Sequence, residues 1–308
     1  MSVLTELKFP KIIFGANVFG WTLDEKKSFA MLDELYELGY CGIDTADMYS
    51  TWVPGNKGGE SEAIIGKWMK ERGNREHIRI ITKVGMEVQS KSGLKKDYIL
   101  EAIDQSLARL QTDYVDVYLA HQEDPSTPIE ESLEAFTHIK KSGRVLAIGA
   151  SNYSLTGLKE SVRMARDTKL DSFQIYQPEY NLYQREDFEN GYANFCKEQK
   201  IDVITYFSLA SGFLTGKYRS KEDAGKSQRG SGIVSRYLDD KGLNLLKAMD
   251  QIAKEKNTKL STLAIAWLLH QENVYAPIVS ATTSEQLREV LNASRLKLTS
   301  EDLSLLDI

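Results

Sequence analysis

The chain has 308 residues, 42% of them hydrophobic and 27% charged, with a formal net charge of −5. A chain of that size buries a large core without a disulfide or metal staple, and its balance is that of an ordinary soluble globular protein. The negative charge, with no basic block interleaved with aromatics, excludes a nucleic-acid partner, and no apolar run approaches the roughly 20 residues of a membrane span.

Cys41 and Cys196 lie in apolar runs with no CxxC or CxH spacing, the pattern of buried reduced thiols, and no metal site is expected. The first eight residues lack the long apolar stretch of a signal peptide. A cytoplasmic protein is the expectation. A monomer is expected too, because no apolar stripe is left over once the elements are assembled.

In chain order, Ile12 to Gly15 reads as a first strand running into a loop through Gly20. From Glu25 to Leu38, Phe29, Leu32, Leu35, Tyr36 and Leu38 recur at helical spacing, and Gly39 ends the run. Tyr40 to Asp44 reads as the second strand. A polar loop with Pro54, Gly55, Gly58 and Gly59 then leads to a helix from about Glu60. Further strands are predicted at Ile78 to Val84, Tyr114 to Ala120, Val145 to Ala150, Phe173 to Gln177, Ile201 to Tyr206 and Ala276 to Val279. Helical stripes separate them: Ile99/Ile103/Leu107/Leu110, Ile129/Leu133/Phe136/Ile139, Leu155/Leu158/Val162 and Phe188/Tyr192/Phe195. After the seventh strand, Phe207 to about Ser235 is expected to be irregular. Two helical patterns follow, about Tyr237 to Lys256 and Ser261 to Gln271, and the last barrel helix is placed at Ser284 to Ala293.

Eight short apolar strands alternating with helices, with no linker or composition break, predict a single α/β domain over residues 1–308. The expected fold is a (β/α)8 TIM barrel with a long loop and an additional helix between strands seven and eight. An open doubly wound sheet would want a GxGxxG turn after an early strand, and the chain has none.

Four polar residues fall at the ends of strands two, three and four: Asp44 and Tyr49, Lys83, and His121. In a barrel these ends surround one mouth. A free phenol has a pKa near 10, and a nearby ammonium is expected to lower it. Asp44 would hold Lys83 charged and oriented, His121 would hydrogen-bond a substrate carbonyl, and Tyr49 would give a proton to an oxygen gaining negative charge. Singly, each residue also fits a surface ion pair, a packed aromatic or a structural histidine. The set of four at successive strand ends does not.

The segments GIDTADMYS (42–50), ITKVG (81–85), DVYLAH (116–121), GASNYS (149–154), QPEYNLY (177–183), FSLASGFLTGKY (207–218) and SATTSEQL (280–287) together resemble the aldo-keto reductase superfamily, in the right order from Ile12 to about Leu306. The resemblance implies that Asp44, Tyr49, Lys83 and His121 form a catalytic tetrad. It also implies hydride transfer from NAD(P)H to an aldehyde or ketone, giving an alcohol.

By the same resemblance a dinucleotide lies extended across the barrel mouth. Ser151, Asn152 and Gln174 are expected on the nicotinamide carboxamide and Tyr206 on the nicotinamide ring. Phe207, Ser208, Leu209, Gly212, Gly216 and Lys217 are expected around the pyrophosphate, and Ser280, Ala281, Thr282, Gln286 and Glu289 at the adenosine end. Many members carry a base where this chain has Thr282, and an asparagine where it has Val290. Arg229 or Arg288 would supply the charge instead. NADPH is favoured and NADH stays open.

Val18, Phe19, Trp21, Trp52, Val53 and Met86 are the expected substrate pocket, an apolar lining suited to small hydrophobic or aromatic carbonyl compounds. Without the longer C-terminal loop of narrowly specific members, an open site is expected. Two other readings stay on the table. One is a cofactor-binding regulatory subunit resembling the potassium-channel β subunits. The other is a Schiff-base enzyme using Lys83, which an adjacent Asp44 opposes by keeping the ammonium charged.

Overall fold

Each apolar run pairs in parallel with its neighbour in sequence, and the last run pairs with the first. A computed structural model describes residues 2–308 as a closed eight-stranded barrel in the order β1 to β8. The strands are β1 (Ile13–Gly15), β2 (Gly42–Asp44), β3 (Arg79–Val84), β4 (Val115–Ala120), β5 (Val145–Ser151), β6 (Ile175–Gln177), β7 (Asp202–Thr205) and β8 (Val274–Val279). The helices are α1 (Val3–Glu6), α2 (Glu25–Glu37), α3 (Glu60–Arg72), α4 (Lys96–Leu110), α5 (Ile129–Lys141), α6 (Leu155–Thr168) and α7 (Ala193–Gln199). They continue with α8 (Gly230–Tyr237), α9 (Asp240–Glu255), α10 (Leu260–His270), α11 (Ser284–Leu291) and α12 (Ser300–Leu305). The (β/α)8 TIM barrel expected from the sequence is therefore the fold.

Several expectations are corrected in detail. The segment after β7, expected to be irregular, contains α8, whose Gly230, Ser231, Gly232 and Ser235 gave no helical stripe. Helix α1 was not foreseen either. It closes the bottom of the barrel: Leu4 is fully buried, and the Leu4 N–H and Ser2 Oγ donate to Asp202 at 2.8 and 2.7 Å. β6 begins two residues later than the apolar run starting at Phe173.

Strand alternation sorts each side chain. Ile13, Ile81, Val117, Leu119, Ala147, Ile175, Ile204, Ala276 and Ile278 fill the barrel interior. The second apolar layer, between barrel and helices, takes Ile43, Ile80, Tyr118 and Ile148. Because the side-chain period is two, the residue two places beyond an interior apolar residue lies on the same face, one level nearer the mouth. That step leads from Ile81 to Lys83, Leu119 to His121, Gly149 to Ser151, Ile175 to Gln177 and Ile278 to Ser280. A polar layer thus caps an apolar one by register alone. The interior is tight: a Cβ on Gly149 would come within 2.3 Å of the Ile175 carbonyl and 2.7 Å of the Leu119 side chain.

Candidate active site

Asp44 ends β2 and Lys83 precedes the last residue of β3. Because Asp44 pairs with Ile81, Lys83 stands one step above it. Both are buried, at 1% and 0% exposure. The Lys83 ammonium donates to Asp44 Oδ1 at 2.7 Å, to the Thr45 carbonyl at 2.7 Å and to the Tyr49 hydroxyl at 3.0 Å, so all three of its hydrogens are used. Burial lowers the Lys83 pKa and the Asp44 carboxylate opposes that shift. Tyr49 arrives on the turn after β2, its hydroxyl donating to Asp44 Oδ1 at 3.0 Å. Its ring lies 4.7 Å from Lys83 Nζ and 6.1 Å, edge-on, from the His121 ring. The four residues expected to act together are in contact.

The direction of the Tyr49 shift corrects the sequence reading. The pull of Lys83 on the phenol is outweighed in this arrangement: the Tyr49 pKa is pushed well above its ordinary value, by burial first and then by the charge and hydrogen bond of Asp44. Asp44 neutralises the Lys83 charge and also holds the phenol's hydrogen, so the proton rests on Tyr49. His121 is driven the other way. Burial, and then the Lys83 charge, hold its pKa well below the usual histidine range, so the imidazole is neutral. Its Nδ1 is buried with no partner among the described residues. A nitrogen without an acceptor is best left without a hydrogen, which places the N–H on Nε2.

Above the tetrad opens a cavity of about 1060 Å³. Val18, Trp21, Trp52 and Met86 form an apolar part of its wall, with Trp21 edge-on to Trp52 at 5.6 Å and Trp52 6.2 Å from the Tyr49 ring. Ser151, Asn152, Tyr206, Phe207, Ser208, Leu209, Gly212, Lys217 and Arg229 also line it, as do Ser280, Ala281, Thr282, Gln286, Glu289 and Val290. The polar groups are held in place: Asn152 Nδ2 donates to the His121 carbonyl at 2.9 Å, and the Tyr206 hydroxyl to Asn152 Oδ1 at 2.7 Å. Thr282 offers its N–H and hydroxyl to Gln286 Oε1 at 2.9 and 3.1 Å. Phe207, Ala210 and Ser211 all have positive φ, an unfavourable run for non-glycine residues, and Phe207 and Ser211 of these line the cavity.

Gln174, Phe19, Gly216, Val53 and Arg288 were expected near cofactor or substrate and do not line the cavity. Gln174 precedes β6 and is out of step with Ile175, so it sits at the lower end of the strand facing away from the barrel interior, its buried Oε1 unpartnered among the described residues. Gln177, at the upper end of β6, occupies the mouth instead: its Nε2 donates to Asp44 Oδ2 at 2.8 Å, and its backbone carbonyl accepts from Ser151 Oγ at 2.8 Å. The sequence signal was available, since Gln177 ends the apolar run that made the strand. Phe19 is fully buried and stacks on Phe14 at 5.5 Å, beneath the pocket. Gly216, at φ +77°, caps the turn over 210–215 and lies behind its neighbours Thr215 and Lys217. Val53, half-buried, also stays outside the lining. Conversely, Asn17, Gln122, Ser227, Gln228 and Lys259 line the cavity without having been singled out. Gln228 Oε1 accepts from Trp21 Nε1 at 3.1 Å, and the Arg229 guanidinium lies 5.1 Å over the Trp21 ring, with no carboxylate partner among the described residues.

The aldo/keto reductase family model matches residues 11–308. The chain is 30% identical to an L-glyceraldehyde 3-phosphate reductase of Escherichia coli O157:H7 over 313 residues, covering 98% of this chain and 89% of that protein. It is 29% identical to the protein of the same name from Escherichia coli strain K12 over the same shares. It is 30% identical to a norsolorinic acid reductase of Aspergillus flavus over 293 residues, 92% of this chain and 71% of that protein. Among the described residues no cluster of His, Cys, Asp and Glu could hold a metal, and no helix is long and apolar enough to cross a membrane. With a matched family model over nearly its whole length and reductases among its relatives, the chain belongs to the aldo/keto reductase family and is an oxidoreductase that reduces carbonyl compounds.

Proposed function

We propose that the protein reduces small aldehydes or ketones with NADPH, with Tyr49 as the proton donor. The observation that carries this reading is the shared oxygen: Asp44 Oδ1 takes hydrogens from both Tyr49 and Lys83 at the floor of the cavity. A donor must hold its proton at neutral pH, and burial and Asp44 keep it on Tyr49. As a carbonyl oxygen above the ring gains charge, the neutral His121 N–H and the Tyr49 O–H donate to it together. The proton then passes from Tyr49, and the Lys83 ammonium 3.0 Å away stabilises the phenolate left behind.

An extended dinucleotide fits the cavity by volume and by lining. The volume of about 1060 Å³ runs on well past the tetrad. Along it lie the cations Lys217, Arg229 and Lys259, none of them in an ion pair among the described residues, and the mixed donors and acceptors Ser151, Asn152 and Gln177 that an amide needs. When bound, reduced nicotinamide supplies the hydride. Ser151, Asn152 and Gln177 would hold its amide, Tyr206 would lie against its ring, and the segment 207–217 would hold the pyrophosphate, leaving Arg229 for the additional phosphate of NADPH. The lone guanidinium of Arg229 supports NADPH over NADH.

The aromatic and thioether walls of Trp21, Trp52 and Met86 suit apolar or planar carbonyl substrates. The relatives are named for reducing two different compounds, L-glyceraldehyde 3-phosphate and norsolorinic acid, so their names support carbonyl reduction without fixing one substrate. We place the protein as one domain acting alone in the cytoplasm. The test is oxidation of NADPH and of NADH against a panel of small aliphatic and aromatic aldehydes. Turnover of several, faster with NADPH, is expected; turnover of none defeats the reading.

A further inference from the structure

We propose that Gln177 is a positioning residue for the tetrad, holding the Asp44 carboxylate in the one orientation that lets a single oxygen serve both Lys83 and Tyr49. Asp44 has two oxygens with unlike duties. Oδ1 accepts from Lys83 Nζ at 2.7 Å and from Tyr49 at 3.0 Å, while Oδ2 accepts only from Gln177 Nε2, at 2.8 Å, among the described residues. A carboxylate turns about its Cβ–Cγ bond through a broad, two-fold torsion. With Oδ2 unheld, either oxygen could face Lys83 and the second donor to Oδ1 would lose its line.

Gln177 is itself fixed. It is 2% exposed, its backbone carbonyl takes the Ser151 hydroxyl, and it stands on a strand. Only the NH2 end of an amide can face a carboxylate, so the orientation of the amide is set by charge. The groups around the Asp44 carboxylate are therefore Lys83, Tyr49 and Gln177, with His121 beyond Tyr49. The amide's other atom, Oε1, accepts nothing among the described residues. One side chain thus touches the proton-donor network with one end and keeps the other for a bound amide. This builds on the reductase reading only where turnover is measured.

The experiment uses the full chain and three variants, Gln177→Glu, Gln177→Leu and Gln177→Met. Gln177→Glu puts a second carboxylate beside Asp44 in place of a donor. Two carboxyls that close share a proton, so its melting temperature, relative to wild type, is expected to drop progressively as pH rises from about 4.5 to 7. Gln177→Leu and Gln177→Met, which lose the donor without adding charge, should show no such drift. In those two variants kcat at saturating cofactor is expected to fall at least about tenfold, the scale of one lost hydrogen bond to a charged group. The NADPH dissociation constant, from quenching of tryptophan fluorescence, should rise as well because the same amide faces the cofactor, so the fall in kcat at saturating cofactor is the readout that a cofactor contact alone would not produce. A pH-independent stability difference for Gln177→Glu, with wild-type kcat and only weakened cofactor binding in the other two, overturns the proposal and leaves Gln177 as a cofactor contact alone. The stability series needs no substrate, so it still decides the matter should the panel of aldehydes find no activity.

Discussion

The Tyr49 hydroxyl and the Lys83 ammonium converge on one atom, Oδ1 of Asp44, at 3.0 and 2.7 Å. That convergence settles where charge sits in the resting protein. The ammonium is spent on the carboxylate, the carboxylate holds the phenol's hydrogen, and Tyr49 is left as a neutral acid beneath the cavity.

Breaking the Lys83–Asp44 pair from one side should be costly, because both are wholly buried and the survivor keeps its charge without a partner. Lys83→Met is expected to lose about 3–5 kcal/mol of stability in denaturant unfolding, together with most of its activity. The double variant Lys83→Met/Asp44→Asn should lose clearly less than the sum of the two single ones, since no buried charge is stranded. Additive losses would mean that the pair is not coupled.

His121 should leave its mark on stability against pH. Its pKa in the folded protein lies well below the usual value, while in the unfolded chain it is about 6.5. Below 6.5 the unfolded chain therefore binds a proton that the folded protein refuses. Stability contributed by the neutral imidazole is complete above that value and is lost as pH falls, by up to about 1.4 kcal/mol per unit. Unfolding of wild type and His121→Gln at several pH values between 5 and 8 should show the wild type losing the larger share on the acid side. The pH profile of wild-type carbonyl reduction should show no inflection near 6.5.

Arg229, stacked on Trp21 with no carboxylate partner among the described residues, would take a phosphate charge in the cofactor arrangement proposed above. Arg229→Ala is expected to raise the NADPH dissociation constant by about tenfold or more, as the loss of a charge-assisted hydrogen bond does. NADH should suffer less, and the wild-type effect should weaken with salt. Fluorescence titrations of both cofactors check this; equal losses would remove Arg229 from cofactor discrimination.

Trp52 is 44% exposed and sits between Trp21 and Tyr49. Trp52→Ala should raise KM for aromatic aldehydes by about tenfold while leaving kcat and small aliphatic aldehydes nearly unchanged, because it removes contact area and not a group that meets the developing charge. Steady-state kinetics with benzaldehyde and a short aliphatic aldehyde distinguishes the two.

The barrel was legible because each strand is an apolar run cut off by a helix with its own periodicity, and the tetrad because chemistry concentrates where those runs stop. What escaped lacked a periodic signal or turned on register. Helix α8 is glycine- and serine-rich, and α1 spans four residues, too few for a stripe. Gln174 and Gln177 are both amides in one apolar stretch, and Gln177, which ends that stretch and β6, is the one that reaches the mouth. Phe19 looks like a pocket residue by composition, but its ring packs on Phe14. The direction of the Tyr49 shift depended on which oxygen receives the phenol's hydrogen, and that is geometry no spacing encodes.

The most direct measurement is single-turnover reduction of an aldehyde by NADPH-loaded wild type and Tyr49→Phe, with cofactor affinity determined for both by fluorescence. The phenyl ring keeps the packing against Trp52 and His121 and loses only the hydroxyl. The expected result is a rate lower by about 10²–10⁴ at nearly unchanged NADPH affinity. An undiminished rate in Tyr49→Phe would contradict Tyr49 as the proton donor.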